Sequence, residues 1–398
     1  MCVEPEDYCR LIARDLPVGV ETVPLAEAVG RILARDVAAD APIPGFATSA
    51  MDGYAFDAQA LGVARTGAPI TVAGDIPAGH PPVQIPAGCA VRVMTGAQVP
   101  DTAEAVVPVE LTDASRTGAV PDTVVVAGLP ERLRAGWNIR DVGEDTALGD
   151  VVAIGGQRLN AAGVGTLAML GITDVEVLRR PRIGLIVTGD ELRGPHAAGP
   201  TIPNSNLPML AAAITAHGGT AVPATSGDDP AEFLTALDRL APDVDLVITT
   251  GGISAGAYEV VRAALDGESS QFLRVDQRPG GPQGYGQRAG IPLLHLPGTP
   301  SGAYLSFHLF VRSLLSGIPL GERWQRAVYT GPELAGHRRG MSLVPVTLAA
   351  DGCVVPAARA RLRDFAAADA ILRVPGAPAV IADGDIVDIL PTGPEILA

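Results

Sequence analysis

Three short turns in this sequence combine glycine with hydroxyl or carboxyl side chains, and each directly follows an apolar segment. They are residues 188–191 (TGDE), 249–254 (TTGGIS) and 297–302 (PGTPSG). Glycine lets the backbone approach a ligand closely, and free N–H groups at a helix start favour phosphate. The adjacent acids Asp190 and Glu191 could hold a divalent cation through oxygen ligands. One such turn is more often only a turn, or its acid only a helix cap, but three together favour a nucleotide-like ligand.

The segment that carries these turns alternates apolar strands with helices between residues 181 and 317. Its predicted strands are RIGLIVTG, TAVPATS, VDLVITTGG, QFLRVDQ and IPLLHLPG, and its last helix is predicted as one long element over residues 301–317. Strands that alternate with helices of about 10–15 residues are typical of a parallel, doubly wound sheet. In such a sheet the ligand lies beyond the carboxyl ends of the strands. We therefore expect the three turns at one edge of the sheet.

Three further regions are predicted around this segment, so the fold class is an α/β multidomain protein. Residues 41–140 are rich in Pro and Gly with short β-prone pieces, which indicates an inserted β domain. Residues 20–40, with a short packed helix over 26–33, and residues 141–180 could pair across it as a small composite domain. Residues 319–398 indicate a C-terminal β domain. Residues 1–19, with a helix from about 6 to 15, are assigned with residues 181–318 to the α/β domain.

The composition excludes several classes of protein. Hydrophobic residues make up 47% of the 398 residues, so a disordered chain is excluded. Asp and Glu number 44 against 29 basic residues, and the net charge of −15 disfavours nonspecific binding to nucleic acid or anionic membranes. All the basic residues are arginine, which excludes a Schiff-base lysine and the lysines of Walker-type and kinase phosphate sites.

Cysteine, histidine and apolar runs carry no further signal. The four cysteines lack metal-ligand spacing, and the six histidines are scattered, with His295 and His308 expected in the core. The charged N-terminus does not resemble a signal peptide, and no apolar run reaches the ~18 residues that span a membrane. We therefore expect a cytoplasmic protein with free thiols.

The predicted β domain carries three more polar motifs. They are residues 49–57 (SAMDGYAFD), 91–96 (VRVMTG) and 138–145 (NIRDVGED). An acid before Gly-Tyr, as in Asp52, is also an ordinary turn former. Spacing alone does not place these motifs near the edge of the sheet.

Together these motifs give the sequence a specific family resemblance. SAMDGYA, VRVMTGA, NIRDVGED, TGDEL, TTGGIS and LPGTPSG occur here in the order seen in the molybdopterin molybdenumtransferases, called MoeA in bacteria and corresponding to the E domain of gephyrin. The resemblance covers most of the chain and is weakest after about residue 320. It implies the four domains described above, with a molybdopterin-binding-like α/β domain, and an elongated homodimer whose site lies between the α/β domain of one subunit and the inserted domain of the other.

The resemblance also implies an activity and partners. The family takes adenylylated molybdopterin and molybdate, hydrolyses the phosphoanhydride with a divalent cation such as Mg²⁺, releases AMP and leaves molybdenum on the dithiolene. Contact with the molybdopterin adenylyltransferase is a further implied partnership. No nucleic acid or membrane is expected as a partner.

Site residues carry over motif by motif. The residues expected to be catalytic are Asp52, Glu191, Asp228, Glu259 and Arg278. Those expected to bind substrate are Thr95, Thr188, Gly189, Thr250, Gly251, Gly252, Ser254, Pro297, Gly298, Thr299, Pro300 and Ser301. Those expected to hold the metal are Asp190, Glu191 and Asp228. Cleaving a phosphoanhydride depends mainly on positioning and on neutralising developing charge, and these residue types suit that task.

The sequence departs from the family where molybdate and phosphate would bind. The family segment KPGKP reads RPGGP here. Arg278 replaces the first lysine and keeps a positive charge, in the planar, forked guanidinium group. Gly281 replaces the second lysine, so that positive charge is lost. After GGIS, Ala257 stands where the family commonly has an acid, and Glu259 keeps a carboxylate. The usual Asn of PGNP is Thr299, and Arg359 could restore cationic charge from the C-terminal domain.

These departures leave two main interpretations open. In the first, the protein is a working transferase in which arginines replace lysines. The retained acids Asp52, Glu191 and Asp228 favour this interpretation. In the second, it is a divergent non-catalytic paralogue that binds molybdopterin or molybdate, or acts as an assembly or scaffold partner, as Gly281 and Ala257 favour.

Overall fold

The computed structural model describes residues 2–14, 16, 18–192, 201–254, 256, 259–338 and 340–393. The chain forms two compact units. Unit 1 consists of Met1–Gly19 and Arg179–Ala398, and unit 2 consists of Val20–Leu178. The predicted finer boundaries at residues 140 and 318 stay predictions.

A seven-stranded sheet forms the centre of unit 1. Its strands, in spatial order, are Cys2–Val3, Ser270–Val275, Pro282–Arg288, Ile291–Leu296, Leu246–Thr250, Arg182–Thr188 and Thr220–Ser226. 

Arg182–Thr188 pairs in parallel with Thr220–Ser226 on one side and with Leu246–Thr250 on the other, and Leu246–Thr250 pairs in parallel with Ile291–Leu296.

The prediction of a wholly parallel sheet is wrong at one strand. Pro282–Arg288 runs antiparallel between Ile291–Leu296 and Ser270–Val275. It forms a tight hairpin through Ala289 and Gly290, whose φ angles of 49° and 83° suit a two-residue turn. The sequence PQGYGQR has no apolar run, because the strand is rich in glycine and polar residues, and the pattern therefore gave no strand signal.

Helices cover both faces of this sheet, which confirms the doubly wound arrangement. Leu185 shares a buried cluster with Leu210 of one helix, whereas the next residue, Ile186, shares a second cluster with Phe233 of another. Successive strand residues point to opposite faces, so each face has its own core. The helices of unit 1 are Pro5–Ile12, Asn206–Ala216, Pro230–Leu240, Val260–Leu265, Pro300–Ser306, Arg312–Ser316, Leu320–Arg323 and Leu362–Phe365.

Two helix predictions in unit 1 need correction. The first helix ends at Ile12 rather than near residue 15. The long helix predicted over residues 301–317 is interrupted by a π-helical turn, Phe307–Val311, and ends at Gly317 with a φ of 71°. Asp229 is the N-cap of the helix Pro230–Leu240, since its carboxylate accepts hydrogen bonds from the N–H groups of Ala231 and Glu232.

The C-terminal part of unit 1 contains an antiparallel sheet, as its sequence predicts. Its strands, in spatial order, are Gln325–Val328, Ile386–Pro391, Ala370–Val374, Ser342–Leu348 and Val354–Pro356. A separate pair joins Leu334–Ala335 to Val380–Ile381. Leu343, Ile371 and Leu390 belong to the same buried cluster as Leu185, so this sheet packs on one face of the α/β core.

Unit 2 contains a five-stranded sheet and three strand pairs. The sheet, in spatial order, consists of Ala105–Pro108, Gly53–Phe56, Ala90–Val93, Ile70–Ile76 and Thr123–Val124. The pairs are Thr48–Ser49 with Ile139–Arg140, Val37–Ala38 with Val151–Ala153, and Val20–Pro24 with Asp174–Leu178. Its helices are Ala58–Ala64 and Ala161–Met169.

The pairs that join the two flanks of unit 2 bear out one prediction, and a second is wrong. Val20–Pro24 pairs with Asp174–Leu178, so the flanking segments do meet across the intervening residues. The short helix predicted over residues 26–33 is instead a single 3₁₀ turn, Leu25–Glu27, and Leu33 forms a β-bridge to Val177. Within the described residues no helix is both long and apolar enough to cross a membrane.

Candidate functional site

A cavity of about 320 Å³ lies at the carboxyl ends of the parallel strands in unit 1. The strands Arg182–Thr188 and Leu246–Thr250 end there, as expected of a doubly wound sheet. The predicted residues that line the cavity are Thr188, Gly189, Glu191, Asp228, Thr250, Gly251, Gly252, Glu259, Gly298 and Pro300. The structure thus brings residues of all three predicted turns to one cavity.

The first turn places a carboxylate over a glycine. Gly189 has a φ of 142°, and a Cβ atom on it would lie 2.5 Å from Oε2 of Glu191. A side chain at position 189 would therefore both strain the backbone and displace the Glu191 carboxylate. Glycine at this position lets Glu191 fold back along the cavity wall.

Asp190 and Asp228 join two loops at the edge of the cavity. The N–H of Asp190 donates to Oδ2 of Asp228 at 3.2 Å, and the N–H of Asp228 donates to Oδ1 of Asp190 at 3.3 Å. Each carboxylate therefore fixes the backbone of the other loop. Asp228 also lines the cavity, whereas Asp190 is outside its lining.

The second and third turns approach each other through glycine. A Cβ atom on Gly251 would lie 2.8 Å from Oγ1 of Thr188, and one on Gly298 would lie 3.2 Å from Cα of Gly251. Gly251 and Gly252 also have positive φ angles of 97° and 64°. Side chains at these positions would separate the turns, so glycine is required for this close packing.

Glu259 holds the loop that follows the second turn. Its carboxylate accepts hydrogen bonds from the N–H of Ser254 at 2.7 Å and from the N–H of Gly256 at 3.2 Å. Ser254 itself lies outside the cavity lining, while Glu259 is part of it. Ala257, at the position where the family commonly has an acid, lies outside the described residues.

Residues 202–206 also line the cavity, although none of them was predicted as a site residue. Asn206, which is 5% exposed, donates from Nδ2 to Oγ1 of Thr250 and to the carbonyl of Gly298, both at 2.8 Å. It therefore ties the second turn to the third. The only local signal was the polar sequence NSN before an apolar helix, which is equally typical of an ordinary helix cap.

Thr250 extends this network. Its hydroxyl donates to the carbonyl of Pro297 at 3.0 Å, and its side chain is fully buried. Pro297, Thr299 and Ser301 of the third turn lie outside the cavity lining, although Gly298 and Pro300 lie within it. Thr299 precedes the helix Pro300–Ser306 as its N-cap residue.

Asp52 and Thr95 lie together in unit 2. Oδ1 of Asp52 accepts hydrogen bonds from the N–H of Thr95 at 2.7 Å and from its hydroxyl at 2.8 Å. These two hydrogen bonds, that from the backbone first, lower the pKa of the Asp52 carboxyl below its ordinary value. The hydrogen bonds therefore favour the ionised carboxylate, and they bring two motifs that are distant in sequence, SAMDGYA and VRVMTG, together.

Arg278 lies on a loop that is joined to the C-terminal sheet. Its carbonyl accepts a hydrogen bond from the N–H of Leu343 at 2.9 Å, and its side chain is exposed. It lies outside the cavity lining. The catalytic role expected for Arg278 stays a prediction.

The acids of the cavity suit Mg²⁺ in part. Within the described ranges, no three His, Cys, Asp or Glu side chains gather into a group that could hold a metal. Glu191 and Asp228 nevertheless line the same cavity. Mg²⁺ is commonly bound by one or two carboxylates together with substrate phosphates and water, so these two residues fit it. A three-carboxylate site that includes Asp190 stays a prediction.

Two histidines, His295 and His308, lie in the core, as expected from the sequence. His295 is fully buried, and its ring nitrogens contact Oγ1 of Thr249 and Oγ of Ser270, both at 2.8 Å. Burial lowers its pKa to about 3. His308 is 2% exposed, and burial lowers its pKa as well. Both are core residues, as predicted.

Comparison with known proteins identifies two matching regions. Residues 3–171 match the MoeA N-terminal region (domain I and II), and residues 184–317 match a probable molybdopterin binding domain. Together these regions cover most of the chain and include all the motifs quoted above.

Individual relatives match more than three quarters of this chain. The chain is 40% identical over 376 residues to molybdopterin molybdenumtransferase 2 of Mycobacterium tuberculosis, covering 89% of this chain and 90% of the relative. It is 32% identical over 315 residues to molybdopterin molybdenumtransferase of Haemophilus influenzae, covering 78% and 76%.

A solved structure shows the same fold. The crystal structure of the molybdopterin biosynthesis MoeA protein from Pyrococcus horikoshii OT3 superposes with a TM-score of 0.78 at 26% identity, covering 98% of this chain and 99% of that one. From these matches, the chain belongs to the molybdopterin molybdenumtransferase (MoeA) family.

Proposed function

We propose that this protein is a transferase of molybdenum cofactor biosynthesis, which inserts molybdenum from molybdate into adenylylated molybdopterin and releases AMP. The observation that carries the proposal is the cavity at the strand ends, where three glycine turns meet the carboxylates of Glu191, Asp228 and Glu259. The relatives' names support the same reaction.

The glycine turns suit the phosphoanhydride. Gly189, Gly251 and Gly298 keep side chains away from the cavity edge, so a phosphate can approach the backbone there. Cleavage of a phosphoanhydride depends mainly on positioning the phosphates and on stabilising developing charge. These turns would position the pyrophosphate against the strand ends.

Glu191 and Asp228 would hold Mg²⁺ beside that pyrophosphate. When bound, Mg²⁺ neutralises charge on the phosphate oxygens. Because Asp228 also accepts the N–H of Asp190, its carboxylate is already oriented by the neighbouring loop. The Glu259 carboxylate accepts hydrogen bonds from two backbone N–H groups, and it would hold the second turn in its conformation while substrate binds.

A homodimer is part of the proposal, on the strength of the family resemblance. Light scattering of the purified protein tests it, with twice the chain mass of 40.7 kDa as the expected result. A monomeric mass at assay concentration would contradict it.

AMP release from adenylylated molybdopterin tests the activity. The assay contains Mg²⁺ and is run with and without molybdate, and AMP is measured by chromatography. Molybdate-dependent release is expected. Binding of the pterin without AMP release would instead identify a non-catalytic paralogue.

A further inference from the structure

The side-chain amide of Asn206 is buried, and only one of its two polar atoms forms hydrogen bonds. Nδ2 donates to Thr250 and Gly298, while Oδ1 has no hydrogen-bond partner in the part of the chain that the structure describes. The residue is only 5% exposed, yet it lines the cavity. A buried acceptor without a donor is unfavourable and calls for an explanation.

The hydrogen-bond network fixes which end of the amide is the oxygen. The carbonyl of Gly298 can only accept, so the atom that contacts it must be Nδ2. The Thr250 hydroxyl donates its proton to the carbonyl of Pro297, and it therefore accepts from the same Nδ2. Exchanging the amide oxygen and nitrogen would break both hydrogen bonds. The atom without a hydrogen-bond partner is therefore the oxygen, which is an acceptor.

The charged side chains of the cavity lining cannot supply the missing donor. The charged groups that share the lining are the carboxylates of Glu191, Asp228 and Glu259, which accept hydrogen bonds when ionised. A bound ligand that carries an N–H or O–H group can supply the donor. Ionised phosphate and molybdate have acceptor oxygens only, so they cannot fill this role.

We propose that Asn206 is a specificity-determining residue whose Oδ1 accepts a hydrogen bond from a neutral N–H or O–H group of the ligand. The identity of that ligand rests on the proposed function. In adenylylated molybdopterin, such donors occur on the pterin ring and on the adenosine part. A site with a buried polar group selects against ligands that lack the matching group.

Binding of three separate ligands tests the proposal. Titration calorimetry with Mg²⁺ present compares AMP, a free reduced pterin and inorganic pyrophosphate, of which only the first two carry neutral donors. The variants are Asn206→Leu, which removes both polar atoms at similar volume, and Asn160→Leu. Asn160 is a control outside the cavity lining, and its Oδ1 accepts the N–H of Gly163 at 2.8 Å. Melting temperatures check that each variant is folded.

In Asn206→Leu we expect a loss of about 5- to 10-fold in affinity for at least one donor-bearing ligand and less than about twofold for pyrophosphate. Asn160→Leu should not show this selectivity. A loss with AMP alone identifies the nucleotide as the donor, and a loss with the pterin alone identifies the pterin. Equal losses for all three ligands, or no loss, would overturn the proposal, because Asn206 would then act only through the loops that it joins.

The two proposals fail in different ways. If the wild-type protein binds neither AMP nor the pterin, both are wrong. If it binds them with the expected selectivity but releases no AMP in the presence of molybdate, the transferase reaction is wrong and the role of Asn206 stands.

Discussion

The guanidinium carbon of Arg274 lies 3.2 Å from the position that a Cβ atom on Gly281 would occupy. Position 281 is where the family resemblance places a lysine, and Gly281 is buried here. A positive charge from the neighbouring strand therefore lies beside the place that a side chain at 281 would fill. Although position 281 carries no lysine, the Arg274 guanidinium places a positive charge close to it.

We expect Gly281→Lys to raise the affinity for molybdate, because it adds a flexible positive charge at the position expected from the family. The new Cβ would lie 3.3 Å from the carbonyl oxygen of Val275, so the backbone must shift slightly. Gly281→Ala is the matched control, since it adds the Cβ without the charge. Calorimetry with molybdate measures the effect. Equal affinities in the two variants would mean that Arg274 already supplies the cation.

We expect Glu191→Gln to abolish AMP release and to leave pterin affinity nearly unchanged. The substitution removes a proposed Mg²⁺ ligand and little contact area. The same assays on Glu322→Gln provide a control, since Glu322 is an exposed acid of unit 1. Loss of pterin binding with unchanged AMP release would contradict the role given to Glu191.

We expect Thr95→Val to raise the pKa of the Asp52 carboxyl towards its ordinary value. The hydroxyl of Thr95 donates one of the two hydrogen bonds that favour the ionised form, and the backbone N–H would remain. Titration of the carboxyl carbon by NMR measures the change. Thr117→Val, at an exposed position in the same unit, should leave it unaltered. An unchanged pKa in Thr95→Val would show that the backbone hydrogen bond alone suffices.

We expect His295 to make the protein less stable as the pH falls from about 6.5 towards 3. Its folded-state pKa is about 3, against 6.5 for the unfolded chain, so the unfolded state binds more protons in this window. The contribution of neutral His295 to the free energy of unfolding is fully present above pH 6.5. It declines by about 1.4 kcal/mol for each pH unit between 6.5 and about 3. Denaturant unfolding at several pH values measures the free energy of unfolding.

His295→Gln should reduce that dependence on pH, whereas His80→Gln should not, because His80 is exposed. An identical pH dependence in wild type and His295→Gln would show that other groups dominate acid unfolding. His308, which is also buried, contributes in the same direction and remains in both proteins.

The meeting of the three turns could be predicted because it follows from local pattern and a general rule. Thr188, Thr250 and Gly298 each follow an apolar strand, and parallel strands end at one edge. Asn206 could not be found in this way. Its partner Thr250 lies 44 positions along the chain, and local sequence marks Asn206 only as the start of a helix.

The wrong predictions have a common cause in tertiary pairing. The spacing of Ala26, Val29 and Leu33 suits a helix, but Leu33 pairs with Val177, a contact that only the folded unit supplies. The strand Pro282–Arg288 lacks an apolar pattern and is held by two neighbours in the sheet. In both places the backbone follows partners that are distant in sequence.

Unit 1 is assembled from two stretches of chain that are separated by the whole of unit 2. The Tyr8 hydroxyl donates to the carbonyl of Gly284, 276 positions away, and both Tyr8 and Ile12 are buried by such late partners. Synthesis begins at the N-terminus, and domains generally fold as they emerge. Unit 2 can therefore fold on the ribosome while the apolar face of Pro5–Ile12 is still exposed, and this helix is covered only after the later strands of unit 1 are made.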